Sequence, residues 1–311
     1  MVMQTDVMLG LYLMTSKGVA VLKQLLENFG PECIAYVVTA QDTATEYDGH
    51  ADILRIANNA GIPSYMRSEI PQQQATCLFA VSWRWLIAEE SDHKLVVFHD
   101  SLLPRYRGFA PLISALVNGE KEVGVTALFA SEEYDRGPII GQESISIHYP
   151  ITIKEAIKLI VSCYEKLAVD IVGKLLLGGV DSYLQDESVA TYSLWRDEED
   201  YFVDWSWDAQ RIRRFVDAVG FPYRGAAVTI DDQLYRIREC DIQSDVVIEN
   251  RTVGKVIFCA DGKPVVVCGQ GLLKILRLTE DGSECNLLPL NRFRIRFGSS
   301  QSNLQQVKNV L

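Results

Sequence analysis

Apolar runs with the length of buried strands alternate with segments of helical periodicity through the first 130 residues of the chain. Residues 7–14 have the pattern of a strand, and in residues 19–28 the apolar side chains recur at helical spacing. The alternation continues with strands at 33–38, 78–81, 95–98 and 124–129 and with helices at 51–60 and 108–117. Strands that are almost continuously apolar and alternate with helices predict a parallel sheet covered on both faces. We therefore expect a doubly wound, Rossmann-like α/β domain whose ligands lie beyond the carboxyl ends of its strands.

The second half of the chain has a different pattern. Residues 153–177 keep helical periodicity and close the first domain, and the residues that follow are polar and acidic. After a short helix at 208–219, β-type runs are separated by Gly and Asp turns, at 226–238, 254–259, 263–268 and 272–278. Several short strands within about 90 residues predict a small barrel or sandwich.

Charge and cysteine content exclude several classes of protein. The formal net charge of −11 would repel a polyphosphate backbone, so we expect no nucleic-acid partner. Seven cysteines, with no C-x-x-C pair, are typical of reduced thiols in a cytosolic protein. Cys259, Cys268 and Cys285 come nearest to a metal cluster, but we interpret them as small buried hydrophobes and expect no metal.

Two motifs that would have indicated other functions are missing from the sequence. The apolar residues 7–14 lack a cationic flank and a cleavage site, so we predict neither a signal peptide nor a membrane span. No G-x-G-x-x-G follows the first strand, so a dinucleotide cofactor is not indicated.

Reactive polar residues follow the strand at 95–98 in the stretch VVFHDSLLPRYRGFAP. His99 comes directly after the strand, and Asp135 lies in the loop SEEYDRGPII, which follows the strand at 124–129. Because the carboxyl ends of parallel strands share one edge of a sheet, we expect the two side chains to meet there. A histidine with a carboxylate partner can take a proton from an attacking group and return it to a leaving group.

The two stretches HDSLLPRYRG and GVTALFASEEYDRGPIIGQ resemble the paired signatures of formyltransferases that use 10-formyltetrahydrofolate. That family includes methionyl-tRNA, glycinamide ribonucleotide and sugar N-formyltransferases, with Asn-x-His-Pro-Ser-Leu-Leu-Pro at a strand end and a later Asp-x-Gly-Pro-Ile loop. His99 matches the family histidine and Asp135 the family aspartate. The stretch FVDWSWDAQRIRRFVDAVGFPYRGAAV is similar to the family's linker and OB-like domain. The resemblance thus implies a catalytic domain at 1–182, a linker at 183–207 and an OB-like domain at 208–311.

The resemblance also implies residue roles. His99 would be the proton shuttle, and Asp135 would orient it and balance its charge. The residues expected to line the pocket for 10-formyltetrahydrofolate are Ser82, Arg84, Trp85, Leu86, Ser101, Leu102, Leu103, Pro104, Glu132, Glu133 and Gly137. Next to them, Arg105 and Arg107 either solvate the turn or, with Gly108, bind an anionic part of the second substrate.

One position departs from the family pattern. The family asparagine falls at Val97, which has no donor, and the proline after the histidine is Asp100. Loss of one oxyanion donor costs about 3 to 4 kcal/mol of barrier. Either another donor replaces it, namely protonated His99, a backbone N–H or Arg84, or the protein binds folate or a nucleotide sugar without turnover.

Charge and length favour one acceptor. The acidic stretch 39–50 and the acidic chain argue against tRNA, and the second domain argues against glycinamide ribonucleotide. We therefore expect a cytoplasmic sugar N-formyltransferase whose acceptor is a nucleotide-linked amino sugar and whose product enters a surface polysaccharide. Methionyl-tRNA and the aminoacyl acceptors of peptide synthetases are the alternatives. The sequence leaves open whether the chain forms a homodimer.

Overall fold

The computed structural model describes residues 7–42, 47–87 and 94–298. The chain divides into two compact units. Unit 1 comprises Met1–Pro111, Glu122–Ser146 and Ile157–Leu194, and unit 2 comprises Leu112–Lys121, Ile147–Ala156 and Trp195–Leu311. The division between Leu194 and Trp195 falls inside the segment 183–207, which was predicted as a linker. Residues 183–194 therefore pack as part of unit 1.

Unit 1 is built on a seven-stranded sheet with the order β3-β2-β1-β4-β5-β7-β8. Its strands are β1 (Leu9–Leu13), β2 (Ile34–Thr39), β3 (Ser64–Met66), β4 (Cys77–Val81), β5 (Lys94–His99), β7 (Glu122–Phe129) and β8 (Ile139–Ser146). Two short strands, β6 (Arg107–Gly108) and β9 (Tyr192–Ser193), pair with each other outside this sheet. The helices of this half of the chain are α1 (Thr15–Phe29), α2 (His50–Asn59), α3 (Pro111–Asn118) and α4 (Ile153–Leu176).

The predicted α/β class is confirmed, and the sheet is mainly parallel. Every residue of β2 and β4 is buried, which is why these strands are apolar almost throughout. The half-exposed strands β3 and β8 were not predicted. Their sequences contain polar residues and therefore lack the continuous apolar pattern of a buried strand.

The sheet differs from the prediction at its last two strands: β7 runs antiparallel to β5, and β8 runs antiparallel to β7. A parallel return needs a helix that crosses over the sheet. Most of α3, the helix between β5 and β7, groups with unit 2 instead. The chain therefore re-enters the sheet in the opposite direction.

Unit 2 contains a five-stranded antiparallel sheet with the order β10-β11-β14-β13-β12. Its strands are β10 (Ala226–Ile230), β11 (Gln233–Gln243), β12 (Val256–Ala260), β13 (Lys263–Val267) and β14 (Leu272–Glu280). The helix α5 (Ala209–Ala218) begins at Asp208, whose side chain accepts a hydrogen bond from the Arg211 N–H. The predicted β-rich second domain is confirmed, with the run 226–238 divided into a hairpin at Asp231 and Asp232, which both have positive φ.

No helix in the described part of the chain is long and apolar enough to span a membrane. Within the same ranges, no group of three or more His, Cys, Asp or Glu side chains is arranged to hold a metal ion. The interpretation of three cysteines as buried hydrophobes is confirmed for Cys268 and is wrong for Cys259 and Cys285, which are exposed.

Candidate active site

His99 is the last residue of β5 and is almost completely buried. Its Nε2 lies 2.8 Å from the carbonyl oxygen of Tyr106. Because a carbonyl oxygen can only accept, Nε2 is the donor in this contact. The other ring nitrogen, Nδ1, is therefore the one that faces a carboxylate.

That carboxylate belongs to Asp135, whose Oδ1 lies 3.4 Å from Nδ1 of His99. The distance is longer than a good hydrogen bond, and such contacts often tighten when a substrate binds. The second oxygen, Oδ2, accepts a hydrogen bond from the Gly108 N–H at 2.8 Å. Asp135 itself has a φ of 58°, a left-handed conformation that is uncommon for a residue other than glycine.

The two side chains meet by a different route from the one predicted. Since β7 is antiparallel to β5, its last residue, Phe129, pairs with Val96, three positions before His99 and therefore about 10 Å away along the strand. The loop 130–138 turns back from that point and carries Asp135 to His99. The pair thus depends on a returning loop and not on parallel strand ends.

The turn after His99 is held by polar side chains from β7 and β8. The Ser101 hydroxyl donates to the Arg105 carbonyl at 2.8 Å. Thr126 donates its hydroxyl to the Ser101 carbonyl at 2.6 Å and accepts from the Leu103 N–H at 3.0 Å. Gln142 donates to the Leu103 carbonyl and to the Thr126 hydroxyl, both at 2.8 Å. Thr126 and Gln142 were not predicted as site residues. The one signal in the sequence was a threonine inside an apolar strand, since a buried hydroxyl needs partners.

Val97, where the family has an asparagine, packs against the buried side chains of Leu103, Leu128 and Ile139. Its surroundings are therefore an apolar wall. Two side chains were predicted as possible replacements for the asparagine donor. Arg84 pairs with Asp42 at 2.5 Å, and the two ring nitrogens of His99 face Asp135 and the Tyr106 carbonyl.

Asp100, which stands at the position of the family proline, lies in a second polar cluster beside His99. The Lys17 ammonium and the Tyr164 hydroxyl both hydrogen-bond to its carboxylate. Burial alone would raise the pKa of Asp100, but the Lys17 charge and these hydrogen bonds outweigh it and lower the pKa. Burial and the Asp100 charge raise the pKa of Tyr164 well above its usual value. The sequence carried no signal for this cluster, because Lys17 and Tyr164 lie on α1 and α4.

The predicted donor-pocket residues 82–86 follow β4, which is parallel to β5 with Val81 beside Phe98. Ser82 has a φ of 53°, and its hydroxyl accepts from the Thr15 hydroxyl at 3.2 Å. Trp85 packs with its ring 5.1 Å from that of Trp83, and the Arg67 guanidinium lies 4.6 Å from the Trp85 ring centre. The Leu86 side chain is 85% exposed. These residues share the sheet edge on which His99 lies.

The other predicted site residues differ in how far they are exposed. Leu103 and Gly137 are buried, and Glu132 and Glu133 are exposed, with Glu133 paired to Arg136. Gly137 has no room for a side chain, since a Cβ atom would lie 1.7 Å from the Phe129 carbonyl oxygen. Leu102 and Pro104 are half-buried parts of the turn.

The structure separates the two arginines that were considered for anion binding. Arg105 is exposed, with its guanidinium 5.1 Å from the centre of the Tyr106 ring. Arg107 is completely buried and makes a two-pronged ion pair with Glu187, at 2.7 and 2.9 Å. Its guanidinium is directed into the protein, so the expectation that Arg107 binds a substrate anion has no support from this geometry.

Comparison with known proteins identifies the family of the chain. Residues 38–161 match the formyl transferase family, and residues 196–288 match the formyl transferase C-terminal domain. A methionyl-tRNA formyltransferase from Syntrophomonas wolfei subsp. wolfei is 30% identical over 238 residues, which are 75% of this chain and 74% of that protein. The chain belongs to the formyltransferase family.

Two further relatives show how far this family likeness extends. A methionyl-tRNA formyltransferase from Carboxydothermus hydrogenoformans is 33% identical over 188 residues, 60% of this chain, and the match spans only 59% of that protein's length. A crystal structure of WlaRD, a sugar 3N-formyltransferase in the presence of dTDP and 5-N-formyl-THF, superposes with a TM-score of 0.67 at 17% identity. That match covers 89% of this chain and 97% of the other, and at this identity it shows a shared fold.

Proposed function

We propose that this formyltransferase-family protein is an N-formyltransferase that moves a formyl group from 10-formyltetrahydrofolate to the amine of a nucleotide-linked amino sugar. The observation that carries the proposal is the buried His99 at the carboxyl end of β5, whose Nδ1 lies 3.4 Å from Oδ1 of Asp135. Both residues belong to the two stretches that resemble the family signatures. Such a pair matches general acid–base chemistry at an amine.

The residues at this edge fit a folate donor. The turn 101–104, the strand end 82–86 and the loop 132–137 are the segments that would hold it, since β4 and β5 end side by side. They offer an aromatic and an exposed apolar side chain, Trp85 and Leu86, next to polar backbone. When bound, the donor supplies a formyl group on a nitrogen atom.

His99 would accept a proton from the attacking amine and pass it to the leaving nitrogen, while Asp135 keeps Nδ1 protonated and the ring oriented. Before Nε2 can accept a proton, its contact with the Tyr106 carbonyl must open and Nε2 must lose the hydrogen that it donates there, because a ring nitrogen that carries a hydrogen cannot accept another. Val97 lies in an apolar cluster and has no donor. The negative charge that develops on the formyl oxygen would therefore be stabilised by His99 or by backbone N–H groups.

The acceptor is inferred from charge. A net charge of −11 disfavours a polyanion such as tRNA but tolerates a small nucleotide sugar. Of the acidic stretch 39–50, residues 43–46 lie outside the described residues; Asp42, also in this stretch, is paired with Arg84. The product would enter a surface polysaccharide.

Two other functions each have one supporting observation. Methionyl-tRNA as acceptor is favoured by the two curated relatives at 30% and 33% identity. Binding of folate without turnover is favoured by the apolar wall around Val97.

The deciding experiment is a turnover assay with 10-formyltetrahydrofolate that follows release of tetrahydrofolate. The acceptors are a panel of nucleotide-linked amino sugars and, in parallel, methionyl-tRNA. Release that depends on an amino sugar supports the proposal, and release that depends only on methionyl-tRNA replaces the acceptor. Saturable folate binding with no release for any acceptor would favour the binding protein.

A further inference from the structure

Gln185 lies in the segment predicted as a linker, yet its side-chain amide connects to the candidate active site. Its Nε2 donates to the carbonyl oxygens of Asp135 and Gly137, both at 2.8 Å. Its Oε1 accepts from Nε and from one terminal nitrogen of Arg107, at 3.1 and 2.7 Å. Both amide hydrogens and the amide oxygen are therefore engaged.

These partners leave one orientation for the amide. A guanidinium only donates and a carbonyl oxygen only accepts, so turning the amide over would set like groups against each other at all four contacts. Arg107 is in turn fixed by Glu187, whose pKa is lowered to about 2, chiefly by its hydrogen bond from Arg107. The Gln185 side chain is thus held in one orientation by Arg107.

Gln185 binds the backbone of Asp135, which is in an uncommon conformation. Asp135 has a left-handed backbone, which is strained for a residue with a side chain, and such backbone persists only where its surroundings enforce it. Gln185 binds the carbonyl of Asp135 itself and that of Gly137, two residues on. These two hydrogen bonds therefore act on the loop backbone that carries the Asp135 carboxylate, whose Oδ2 also accepts from the Gly108 N–H.

The same segment also holds the loop on the other side of His99. The Thr191 N–H donates to the Pro104 carbonyl at 3.1 Å, and its hydroxyl accepts from the Tyr106 N–H at 2.9 Å. The Tyr106 carbonyl is the partner of Nε2 of His99. One segment thus fixes both groups that contact the imidazole.

We propose that Gln185 is a positioning residue that sets the Asp135 carboxylate against Nδ1 of His99. It does not touch the reacting groups but acts through the backbone of the Asp135 loop. The kinetic consequence rests on the proposed formyl transfer, whereas the consequence for the His99 ring does not.

Two variants separate positioning from simple support of the fold. Gln185→Met has a similar length but removes all the hydrogen bonds, and Gln185→Glu keeps an acceptor for Arg107 while removing the two donors to the carbonyls. A role only in anchoring Arg107 predicts that the Glu variant behaves as the wild type. Positioning of Asp135 predicts that both variants lose function. Gln74→Met, at an exposed position of the same unit, is the matched control.

The first measurement is the ¹⁵N resonance of the His99 ring at one fixed pH in the full-length protein without ligand, assigned with His99→Ala. In both Gln185 variants we expect the Nδ1 resonance to move in the direction that Asp135→Asn moves it, and Gln74→Met to leave it in place. The wild-type Nδ1 resonance in a folded Gln185→Glu protein would overturn the inference, whatever the protein catalyses.

The second measurement is the split between kcat and KM with whichever acceptor supports turnover. A displaced catalytic group costs on the order of 10²-fold in rate, so kcat should fall by about that factor while KM for the folate donor changes little. An unchanged kcat would also overturn the inference. Absence of turnover in the wild type would instead reject the proposed function, and the ring resonances would still decide the role of Gln185.

Discussion

Two carboxylates lie beside His99, those of Asp100 and Asp135, and they have different partners. Asp100, the next residue in the chain, is bonded to the Lys17 ammonium and the Tyr164 hydroxyl. Asp135, which is 36 positions away, is bonded to a backbone N–H and faces the imidazole. A lysine neutralises the first charge, whereas the second is directed at the histidine. Proximity in the sequence is therefore a poor guide to which acid serves the site.

We therefore expect changes on the Asp135 side to alter activity and changes on the Asp100 side to alter stability. In the proposed mechanism, the groups on the Asp135 side position the proton carrier His99, so a change there should alter the rate. On the other side an ion pair with side chains only 12% and 21% exposed ties α1 to the end of β5, and a change there should alter the free energy of unfolding.

The largest effect should follow His99→Ala. Loss of a general acid–base group lowers turnover by about 10²- to 10⁴-fold, while folate binding should stay nearly unchanged because the almost completely buried ring exposes little surface. The measurement is kcat in the assay above together with equilibrium binding of the folate donor. His148→Ala, at an exposed histidine, is the control and should keep full activity. Unchanged turnover in His99→Ala would reject the proposed mechanism.

The next effect should follow Lys17→Met. The substitution leaves the Asp100 carboxylate buried without its cation, which costs about 3 to 5 kcal/mol of unfolding free energy. Urea denaturation measures the change. Lys174→Met breaks an exposed pair with Asp170 and should cost no more than about 0.5 kcal/mol. Equal costs for the two variants would show that the Lys17 pair does not stabilise the fold more than a surface pair.

A smaller cost is expected for Val97→Asn, which restores the family residue. The amide would enter the apolar cluster of Leu103, Leu128 and Ile139, and an unsatisfied polar group there costs about 1 to 3 kcal/mol. We expect lower stability in urea and no gain in turnover. Val247→Asn, at a 95% exposed position, should change stability by less than about 0.5 kcal/mol. A large rise in turnover with Val97→Asn would show that position 97 faces the formyl oxygen.

The smallest effect should be a dependence of stability on acid pH. Because the pKa of Asp100 is lower in the folded protein than in the unfolded chain, the carboxylate stabilises the fold above its unfolded pKa, near 4. That contribution is lost as the pH falls from about 4 toward the folded pKa. The unfolding free energy of Asp100→Asn, measured in urea between pH 5 and 2, should therefore fall less steeply than that of the wild type. If the unfolding free energy of the two proteins fell equally steeply with pH, Asp100 would not contribute to the loss of stability in acid.

Much of the site could be predicted because its signals are local. The order of apolar and helical segments predicts the mainly parallel sheet, and the position of His99 at a strand end follows from that order. Gly137, in the Asp-x-Gly-Pro pattern, occupies a point where no side chain fits. The role of the segment 183–194 was not predictable, because a polar, acidic stretch has the same composition in a linker and in a segment bonded to two loops.

The sequence by itself therefore determined the class of the fold and the family, and it predicted the candidate histidine and aspartate, because strand hydrophobicity and loop motifs are properties of neighbouring residues. Only the tertiary structure decided that β7 is antiparallel, that a returning loop brings Asp135 to His99, and that Lys17 and Tyr164 neutralise Asp100. It also decided that Arg107 is buried and that Gln185 reaches the Asp135 loop. The physical reason is that each of these features is a contact between residues more than 25 positions apart, which depends on register, burial and the pairing of polar groups across the whole unit.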